Sequence, residues 1–242
     1  MTQSPLLPQG HYRQVGVVLK AKPSGEKGKT LFLLLREIGP AWVSAPGAVG
    51  GRSRLSGATE PLVWGYFNLY RSPRKIFVKD VEIQEDFWSL RQDREKLLMA
   101  LRLCGHVVRF ALPWHPQDDL IPLLFWSLKA LEAGTAPEAV EFRFLFRWTA
   151  SLGTSPRIDQ CGICGNPLSR GFLGSEGIEC DACSVSQPLS GGFPLEEMEL
   201  NRLKKAVMLS GKEFRAETFG GTENHLFSRA SALFLRLLES SV

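Results

Sequence analysis

The feature that most constrains this chain is a doubled cysteine motif, Cys161-Gly-Ile-Cys164 and Cys180-Asp-Ala-Cys183, with fifteen residues between the two pairs. Each close pair can chelate one side of a metal ion, and the intervening residues can bring the second pair round to complete a tetrahedron. Four thiolates are soft ligands that favour zinc and leave no coordination position open for water or substrate. The motif therefore predicts a structural zinc site rather than a catalytic one.

Two other arrangements of these cysteines are a pair of disulfides and an unligated redox pair. Residues 1–10 show no basic start followed by an apolar run, so we expect no signal peptide. No segment predicts a membrane span, because even the apolar stretch 120–131 is short and is interrupted by Pro122 and Lys129. We therefore expect a cytoplasmic protein. Zinc is favoured over disulfides because cytoplasmic thiols stay reduced.

The distribution of charge along the chain is more informative than its total of +4. A length of 242 residues allows one large domain or two small ones, and a hydrophobic content of 44% is ordinary for a globular protein. The first 80 residues carry twelve basic and four acidic side chains, a net charge of +8, whereas the remainder carries a net −4. This asymmetry predicts that the first part of the chain binds a polyanion.

Short apolar runs separated by turn residues dominate the first 85 residues. They predict five strands, near residues 12–19, 30–35, 41–45, 62–70 and 76–83. Five strands in this length, with no long helical period among them, favour a small barrel of the oligonucleotide-binding (OB) type. An SH3-like barrel would show much the same pattern.

Helical periodicity replaces the strand pattern after the fifth strand. It predicts two helices, each with an apolar face. The first begins near Asp86 and has Leu90, Leu97, Leu101, Cys104 and Val108 on one face, and the second has Leu120, Leu124, Leu128 and Leu131. Further helices are predicted over 138–152, which is apolar nearly all round and hence buried, and over 195–209 and 223–238. The predicted domains are an OB domain (1–83), a helical domain in two parts (84–157 and 187–242) and a zinc finger (158–186).

Basic residues cluster where an OB barrel would contact nucleic acid. In such barrels the ligand crosses the second and third strands, flanked by the loops that join strands one to two and four to five. The predicted DNA-binding residues are Arg13, Lys20, Lys22, Lys27, Lys29, Arg36, Arg52, Arg54, Arg71, Arg74 and Lys75. The aromatic residues that could stack on bases are Trp42, Trp64, Tyr66, Phe67 and Tyr70. The alternative is that the lysines are only solvated and the aromatic side chains belong to the core.

The rest of the sequence does not predict an enzyme. The four histidines are far apart, and the chain contains neither a phosphate-binding Gly-x4-Gly-Lys-Ser/Thr loop nor a Gly-x-Ser-x-Gly elbow. Cys104, the fifth cysteine, lies on an apolar helix face and is interpreted as inert packing. Arg143 and Arg147, one helical turn apart, form either a surface anion site or the solvent-facing side of their helix, and the second is favoured.

Several short segments, in their order and spacing, match a known family. They are Tyr12-Arg13 with Gly16-Val-Val-Leu19, residues 31–39, Gly47-Ala48, Ser53-Arg54-Leu55, Glu60-Pro61-Leu62, and residues 142–159 leading into the cysteine array. Together they resemble the RecO family of bacterial DNA repair and recombination mediators. The similarity covers nearly the whole chain, and the cysteine array is its most specific part.

The resemblance implies an α+β multidomain protein, with an N-terminal five-stranded OB barrel followed by an α-helical domain with an inserted zinc finger. It also implies a non-enzymatic, nucleoid-associated role: binding single- and double-stranded DNA and annealing complementary strands. The implied partners are RecR and the single-strand binding protein, with which the family helps RecA load at gaps. The family usually has a lysine where this chain has Pro46, so Arg52 and Arg54 are expected to share that contact.

Two other functions remain open from the sequence. One is a zinc-ribbon protein that binds RNA through the same barrel, which a preference for the 2′-hydroxyl would reveal. The other is an interaction scaffold whose helical part binds proteins. For the DNA-binding function, basic loops would neutralise phosphates on two strands, release counterions and hold the strands close enough to pair.

Overall fold

The structure of the protein, a computed structural model, describes residues 8–49, 54–173, 177–186, 193–219 and 223–240. The chain forms two compact units, Met1–Phe125 and Trp126–Val242. The first unit contains the barrel and the helices that directly follow it, so it is larger than the predicted OB domain. The finer boundaries predicted at residues 157 and 186 stay predictions.

Five strands close into a barrel: β1 (Gly10–Ser24), β2 (Gly28–Leu35), β3 (Gly39–Ala45), β4 (Trp64–Arg71) and β5 (Ile76–Glu85). Their order around the barrel is β1-β2-β3-β5-β4. Neighbouring strands are antiparallel except β3 and β5, which pair in parallel at Ser44 and Phe77. The five-stranded closed barrel confirms the predicted OB fold.

Side-chain alternation along the strands separates the barrel core from its outer face. On β2, Leu31, Leu33 and Leu35 belong to the buried core cluster, whereas Phe32 and Leu34 lie on the opposite side of the strand. The β-branched and leucine-rich runs that predicted the strands are therefore the residues that fill the barrel.

The first hairpin is longer than the sequence predicted. Its turn is confined to residues 25–27, so Lys20 and Lys22 lie within β1 rather than in a loop. Backbone pairing continues through Lys22 and Thr30, and a bulge after Val18 accommodates one extra residue. The apolar alternation ends at Lys20, but backbone hydrogen bonds do not require apolar side chains, so the strand continues.

The described part of the first unit also contains α1 (Arg54–Ala58), α2 (Trp88–Arg91), α3 (Arg94–Phe110) and the start of the next helix. The carboxylate of Asp93 accepts hydrogen bonds from the N–H groups of Glu95 and Lys96, and α3 therefore begins as a new helix. Because α2 ends at Arg91 and α3 begins anew at Arg94, the prediction of one continuous helix from near Asp86 is wrong. On α3, Leu103 and Cys104 are buried, whereas Leu101, predicted on the same face as Cys104, is exposed.

Six helices follow: α4 (Leu120–Glu132), α5 (Pro137–Ser151), α6 (Asp181–Ser186), α7 (Glu197–Met208), α8 (Gly211–Ala216) and α9 (Glu223–Ser240). The division between the two units falls within α4. The prediction that α5 is a buried central helix is confirmed, because Phe142 packs against Phe227 and Phe234 of α9 with ring centroids 5.6 Å apart in each pair. No helix among the described residues is long and apolar enough to cross a membrane.

The helix α8 has no counterpart in the sequence-based prediction. Ser210 caps its first turn by accepting from the N–H of Glu213, and the Glu213 carboxylate accepts from the N–H of Ser210. A glycine after an apolar helical pattern usually marks a helix end, but this reciprocal cap makes Gly211 the first residue of the next helix.

Candidate metal centre and nucleic-acid interface

The four cysteines of the doubled motif converge in the structure. Their Sγ atoms all lie within 4.8 Å of one another, and the Cys164 and Cys180 sulfurs are 3.8 Å apart. A tetrahedral ion with Zn–S bonds of about 2.3 Å requires sulfur–sulfur separations of roughly 3.8 Å. These residues, Cys161, Cys164, Cys180 and Cys183, are called the cysteine cluster below, and they can hold one metal ion.

Backbone hydrogen bonds create the cysteine cluster. Gly165, at φ 73°, donates its N–H to the Cys161 carbonyl at 2.9 Å and closes the first knuckle. Positive φ at this position explains a glycine there. Gly162 donates to the Ile178 carbonyl at 2.9 Å, and the Cys180 N–H points at the Cys161 sulfur at 3.4 Å. The two knuckles are therefore joined by the chain itself, and their N–H groups support sulfur as a ligand.

The thiols of the cysteine cluster differ in their readiness to ionise. Burial disfavours the Cys161 thiolate, but hydrogen bonds from the backbone of Cys164, Cys180 and Ile163 outweigh it and lower the pKa of Cys161 to about 6. A hydrogen bond with the Cys180 side chain, together with burial, raises the pKa of Cys183 to about 12. The fifth cysteine, Cys104, is buried in α3, and burial raises its pKa to about 12. Its prediction as an inert packing residue fits this position.

Short secondary structure anchors the cysteine cluster in the second unit. The strands β6 (Gly171–Leu173), β7 (Ile178–Glu179) and β8 (Phe193–Leu195) form a small sheet in the order β7-β6-β8. Lys204 of α7 donates to the Leu168 carbonyl at 2.7 Å, and Arg170 pairs with Asp181 at 2.8 Å. The cluster is thus fixed to a helix as well as to its own sheet.

Most of the predicted DNA-binding residues are exposed on the barrel. The exposed members are Lys20, Lys22, Lys27, Arg36, Arg54, Arg74 and Lys75. Among the residues that the structure describes, none of these seven forms an ion pair with an acidic side chain. Arg52 lies outside the described residues. These side chains are therefore accessible to a phosphate, as a DNA contact requires.

Arg13 and Arg71 are already engaged with the protein. Arg13 pairs with Glu82 at 2.7 Å, and its guanidinium lies 4.2 Å from the centre of the Tyr66 ring. The Arg71 guanidinium donates to the carbonyl of Ser72. Both remain predicted contacts, but a phosphate would have to compete with these intramolecular partners.

Lys29 has a structural role in the barrel. Its side chain is only 12% exposed, and its ammonium donates to the Ser56 carbonyl at 3.1 Å, the Thr59 hydroxyl at 3.1 Å and the Glu60 carboxylate at 2.7 Å. Ser56 lies within α1, and Thr59 and Glu60 directly follow it, so Lys29 links that helix to β2. Burial among three acceptors favours a structural role over contact with DNA.

We therefore expect different effects on stability from Lys27 and Lys29, two of the lysines of the first hairpin. Lys29→Met should reduce the free energy of unfolding by about 2–3 kcal/mol, because the buried Thr59 hydroxyl and the Glu60 carboxylate lose a charged donor. Lys27→Met, at an exposed turn position, should leave stability within about 0.5 kcal/mol of the parent. Urea unfolding of both variants tests this, and equal stabilities would refute the role of Lys29.

Two lysines of β1 and a tryptophan of β3 are exposed on the outer side of the barrel, around Phe32 of β2, which is itself only 2% exposed. Lys20 is paired with Phe32, and Phe32 with Trp42, so the three side chains share one face. Trp42 is 41% exposed and packs against Phe32 with a centroid distance of 4.8 Å. The Lys22 ammonium lies 5.6 Å from the centre of the Trp42 ring. Lys20, Lys22, Phe32 and Trp42 are called the Trp42 face.

The other predicted stacking residues occupy different environments. Phe67 is fully buried in the barrel core and Trp64 is nearly so, which makes both of them packing residues. Tyr66 lies under Arg13, and Tyr70 is partly exposed beside His11. Sequence alternation could place Phe67 in the core, but it could not tell which of the outward aromatic side chains stays uncovered.

Arg143 and Arg147 both donate to backbone carbonyls of the protein, and Arg147 also lies on the exposed side of α5, as the favoured interpretation expected. Arg143 donates to the Leu209 carbonyl at 2.7 Å and also to the Ala206 carbonyl, and Arg147 donates to the Val207 carbonyl at 3.0 Å. These carbonyls lie at the C-terminal end of α7, where intrahelical donors are missing and positive charge is favoured. Burial, and then the charge of Arg147, lower the pKa of Arg143 to about 10, so it remains protonated at neutral pH.

Comparison with protein families identifies most of the second half of the chain. Residues 91–217, more than half of the 242, match the family model described as "Recombination protein O C terminal". The matched segment contains α3, α4, α5, α7 and the whole cysteine cluster.

Individual relatives extend the similarity to the barrel. The protein from Listeria monocytogenes serotype 4b, named "DNA repair protein RecO", is 27% identical over 190 residues, which are 78% of this chain and 74% of the relative. A Bacillus pumilus protein of the same name is 28% identical over 72% of this chain and 68% of its own length. A third, from Anaeromyxobacter sp. (strain K), is 29% identical over 90% of this chain and 92% of its own length, so the alignment must include most of the barrel.

Proposed function

This chain belongs to the RecO family, and from that premise we propose that it is a DNA repair protein that binds single- and double-stranded DNA and anneals complementary strands. The observation that carries the proposal is the Trp42 face, where an exposed indole lies beside Lys20 and Lys22 on the outer side of an OB barrel. Family membership and the names of the relatives support the link to DNA repair.

Binding would combine stacking with charge neutralisation. A base stacks on the open side of Trp42, while Lys20 and Lys22 neutralise the phosphates on either side of that base. Lys27 in the first turn and Arg74 and Lys75 in the β4–β5 loop extend the positive charge beyond this face. Annealing then requires only that two strands be held with their charge screened, so the proposed activity needs no catalytic group.

We extend the proposal to the partners that the family implies. RecR, the single-strand binding protein and, through them, RecA would bring the protein to gaps at which a recombinase is loaded. The support for this part is family membership. The exposed charge of the barrel supports only the contact with DNA.

We also propose that the cysteine cluster holds a structural zinc ion. Four thiolates within 4.8 Å of one another suit zinc, because a soft, closed tetrahedral set is its preferred structural site. Cys161, Cys164, Cys180 and Cys183 would hold the ion and leave no position for water. Its contribution would be to the stability of the second unit, since that is where all four ligands lie.

Affinity for oligothymidylate, followed by fluorescence anisotropy, tests the role of the Trp42 face. Trp42→Ala should weaken binding by about 1–3 kcal/mol, the usual loss for one stacked base, and should slow annealing of complementary oligonucleotides. Lys20→Ala combined with Lys22→Ala should lower the slope of log affinity against log salt by about 1 for each phosphate that the variant no longer neutralises.

Trp126 provides the matched control, because it is an equally exposed tryptophan, 53% accessible, with Arg215 over its ring at 5.0 Å, but it lies in the second unit. Trp126→Ala should bind DNA as the parent does. Equal losses for Trp42→Ala and Trp126→Ala, or an affinity that does not change with salt, would refute the proposed interface. Tighter binding to RNA than to DNA of the same sequence would refute DNA as the natural ligand.

A further inference from the structure

A second group of aromatic and basic side chains lies on the outer side of β1, β4 and β5. Tyr70 is paired with His11 on β1 and with Phe77 on β5, so these three side chains share one face. The His11 and Tyr70 rings are 4.9 Å apart, and the Lys79 ammonium lies 5.4 Å from the centre of the Tyr70 ring. His11, Tyr70, Phe77 and Lys79 are called the Tyr70 cluster.

The Tyr70 cluster faces solvent rather than the barrel interior. The neighbours of its members along the strands, Leu69, Ile76 and Val78, belong to the buried core, and alternation turns Tyr70 and Phe77 outward. The Tyr70 and Phe77 rings are partly exposed, and the side chains of His11 and Lys79 are exposed. A partly exposed tyrosine ring with a cation beside it is typical of a site on which a nucleic-acid base stacks.

The barrel connects the Tyr70 cluster to the Trp42 face. Phe77 pairs with Ser44 of β3, which lies two residues after Trp42 on the same side of the strand. The path from Trp42 to Tyr70 thus runs over two partly exposed side chains, Ser44 on β3 and Phe77 on β5. Two strand spacings of about 4.8 Å across the sheet and two residues of about 3.4 Å along β3 separate Trp42 from Tyr70 by about 12 Å, which roughly three to four nucleotides span at a rise of about 3.4 Å.

The charged residues near β4 are basic on the side of Tyr70 and acidic on the side of Tyr66. Ser72 closes the β4–β5 loop on Lys75 with an N–H to carbonyl bond of 2.9 Å, so Arg74 and Lys75 are exposed in a tight loop directly after Tyr70. In the other direction along β4, the outer face is acidic. Asp80 is paired with Asn68, and Glu82 is paired with Tyr66 and binds Arg13. A polyanion is therefore favoured at Tyr70 and disfavoured at Tyr66.

We propose that the Tyr70 cluster is a second base-stacking subsite, which seats the continuation of the DNA strand that stacks on Trp42. Lys79, Arg74 and Lys75 contact its phosphates. Trp42 and Tyr70 lie on strands two positions apart in a five-stranded closed barrel, so the bound strand turns around the barrel between them. The inference rests on the proposed function, because it assumes that Trp42 receives the first base.

The test is the dependence of affinity on oligothymidylate length. For the parent protein the dissociation constant should fall with length and then level off. Tyr70→Ala should bind an oligonucleotide of about 2 nucleotides as the parent does, because this length, starting on Trp42, does not reach Tyr70. For longer strands it should bind about 5- to 150-fold more weakly and level off about three nucleotides earlier. Tyr70→Phe keeps the stacking surface and should behave as the parent.

Tyr66 offers a matched control, since it lies on the same face of β4 and also has a cation above its ring. Tyr66→Ala should show the parent's length dependence. A Tyr70→Ala variant that loses affinity equally at all lengths, or at none, would overturn the inference, as would an equal effect of Tyr66→Ala. Lys79→Ala provides a second route if Tyr70→Ala does not fold: its salt slope should fall by about 1 for long strands only.

The outcome for Trp42→Ala separates this inference from the proposed function. If Trp42→Ala weakens binding at every length while Tyr70→Ala has no effect, the Trp42 face stands and the second subsite does not. If Trp42→Ala has no effect on short strands, the proposed interface itself fails, whatever Tyr70→Ala does.

Discussion

Replacing Cys161 with serine is expected to lower the free energy of unfolding of the second unit by at least ~4 kcal/mol and to abolish stoichiometric zinc binding. Cys161 is the most buried ligand of the cysteine cluster, and its sulfur also receives the Cys180 N–H. In small zinc domains the free energy of metal binding is folding free energy, of order 10–16 kcal/mol, and three thiolates retain only part of it. Zinc per chain and thermal unfolding followed by circular dichroism provide the measurement.

Cys104→Ala is the control for this prediction. It removes a buried thiol that is not a ligand, so it should keep one zinc per chain and cost only about 1 kcal/mol. A strong chelator added to the parent should lower its melting temperature as the Cys161→Ser substitution does. It should not reduce affinity for oligothymidylate below the melting temperature, because no cysteine of the cluster lies in the barrel. Loss of DNA binding with the helical signal intact would show that the cluster acts on DNA directly.

Replacing Arg143 with methionine is expected to destabilise the protein by about 2–3 kcal/mol, although no sequence motif marks this residue. Its guanidinium donates to the carbonyls of Ala206 and Leu209 and lies 4.5 Å from the centre of the Phe214 ring. The substitution leaves the C-terminal carbonyls of α7 without these donors and removes an interaction with α8. Urea unfolding compares the variant with the parent.

Arg147→Met serves as the comparison, since Arg147 is exposed and gives a single hydrogen bond, to Val207 at 3.0 Å. Its loss should cost about 1 kcal/mol or less. If both variants were equally stable, or if Arg143→Met instead lowered DNA affinity at unchanged stability, Arg143 would belong to a binding site and not to a helix cap.

The local features of this chain could be predicted from its sequence. The cysteine spacing determines a chelating pair within one turn, and the apolar alternation determines which side of β2 faces the core. Both depend on residues a few positions apart, so their geometry is set by backbone periodicity. The OB barrel and the buried helix α5 were accordingly predicted. Strand ends were misplaced where pairing and the apolar pattern end at different residues, as at Lys20 in β1 and at Leu62, which precedes β4.

Tertiary structure alone decided what individual charged and aromatic residues do. Lys27 and Lys29 are both lysines of one hairpin, but only Lys29 meets Ser56, Thr59 and Glu60, about 30 residues away. Likewise Tyr66 and Tyr70 differ because Arg13 and Glu82 lie at one of them and Lys79 at the other. The role of a charged or aromatic side chain depends on the partners that distant segments bring to it, and a single sequence does not specify those partners.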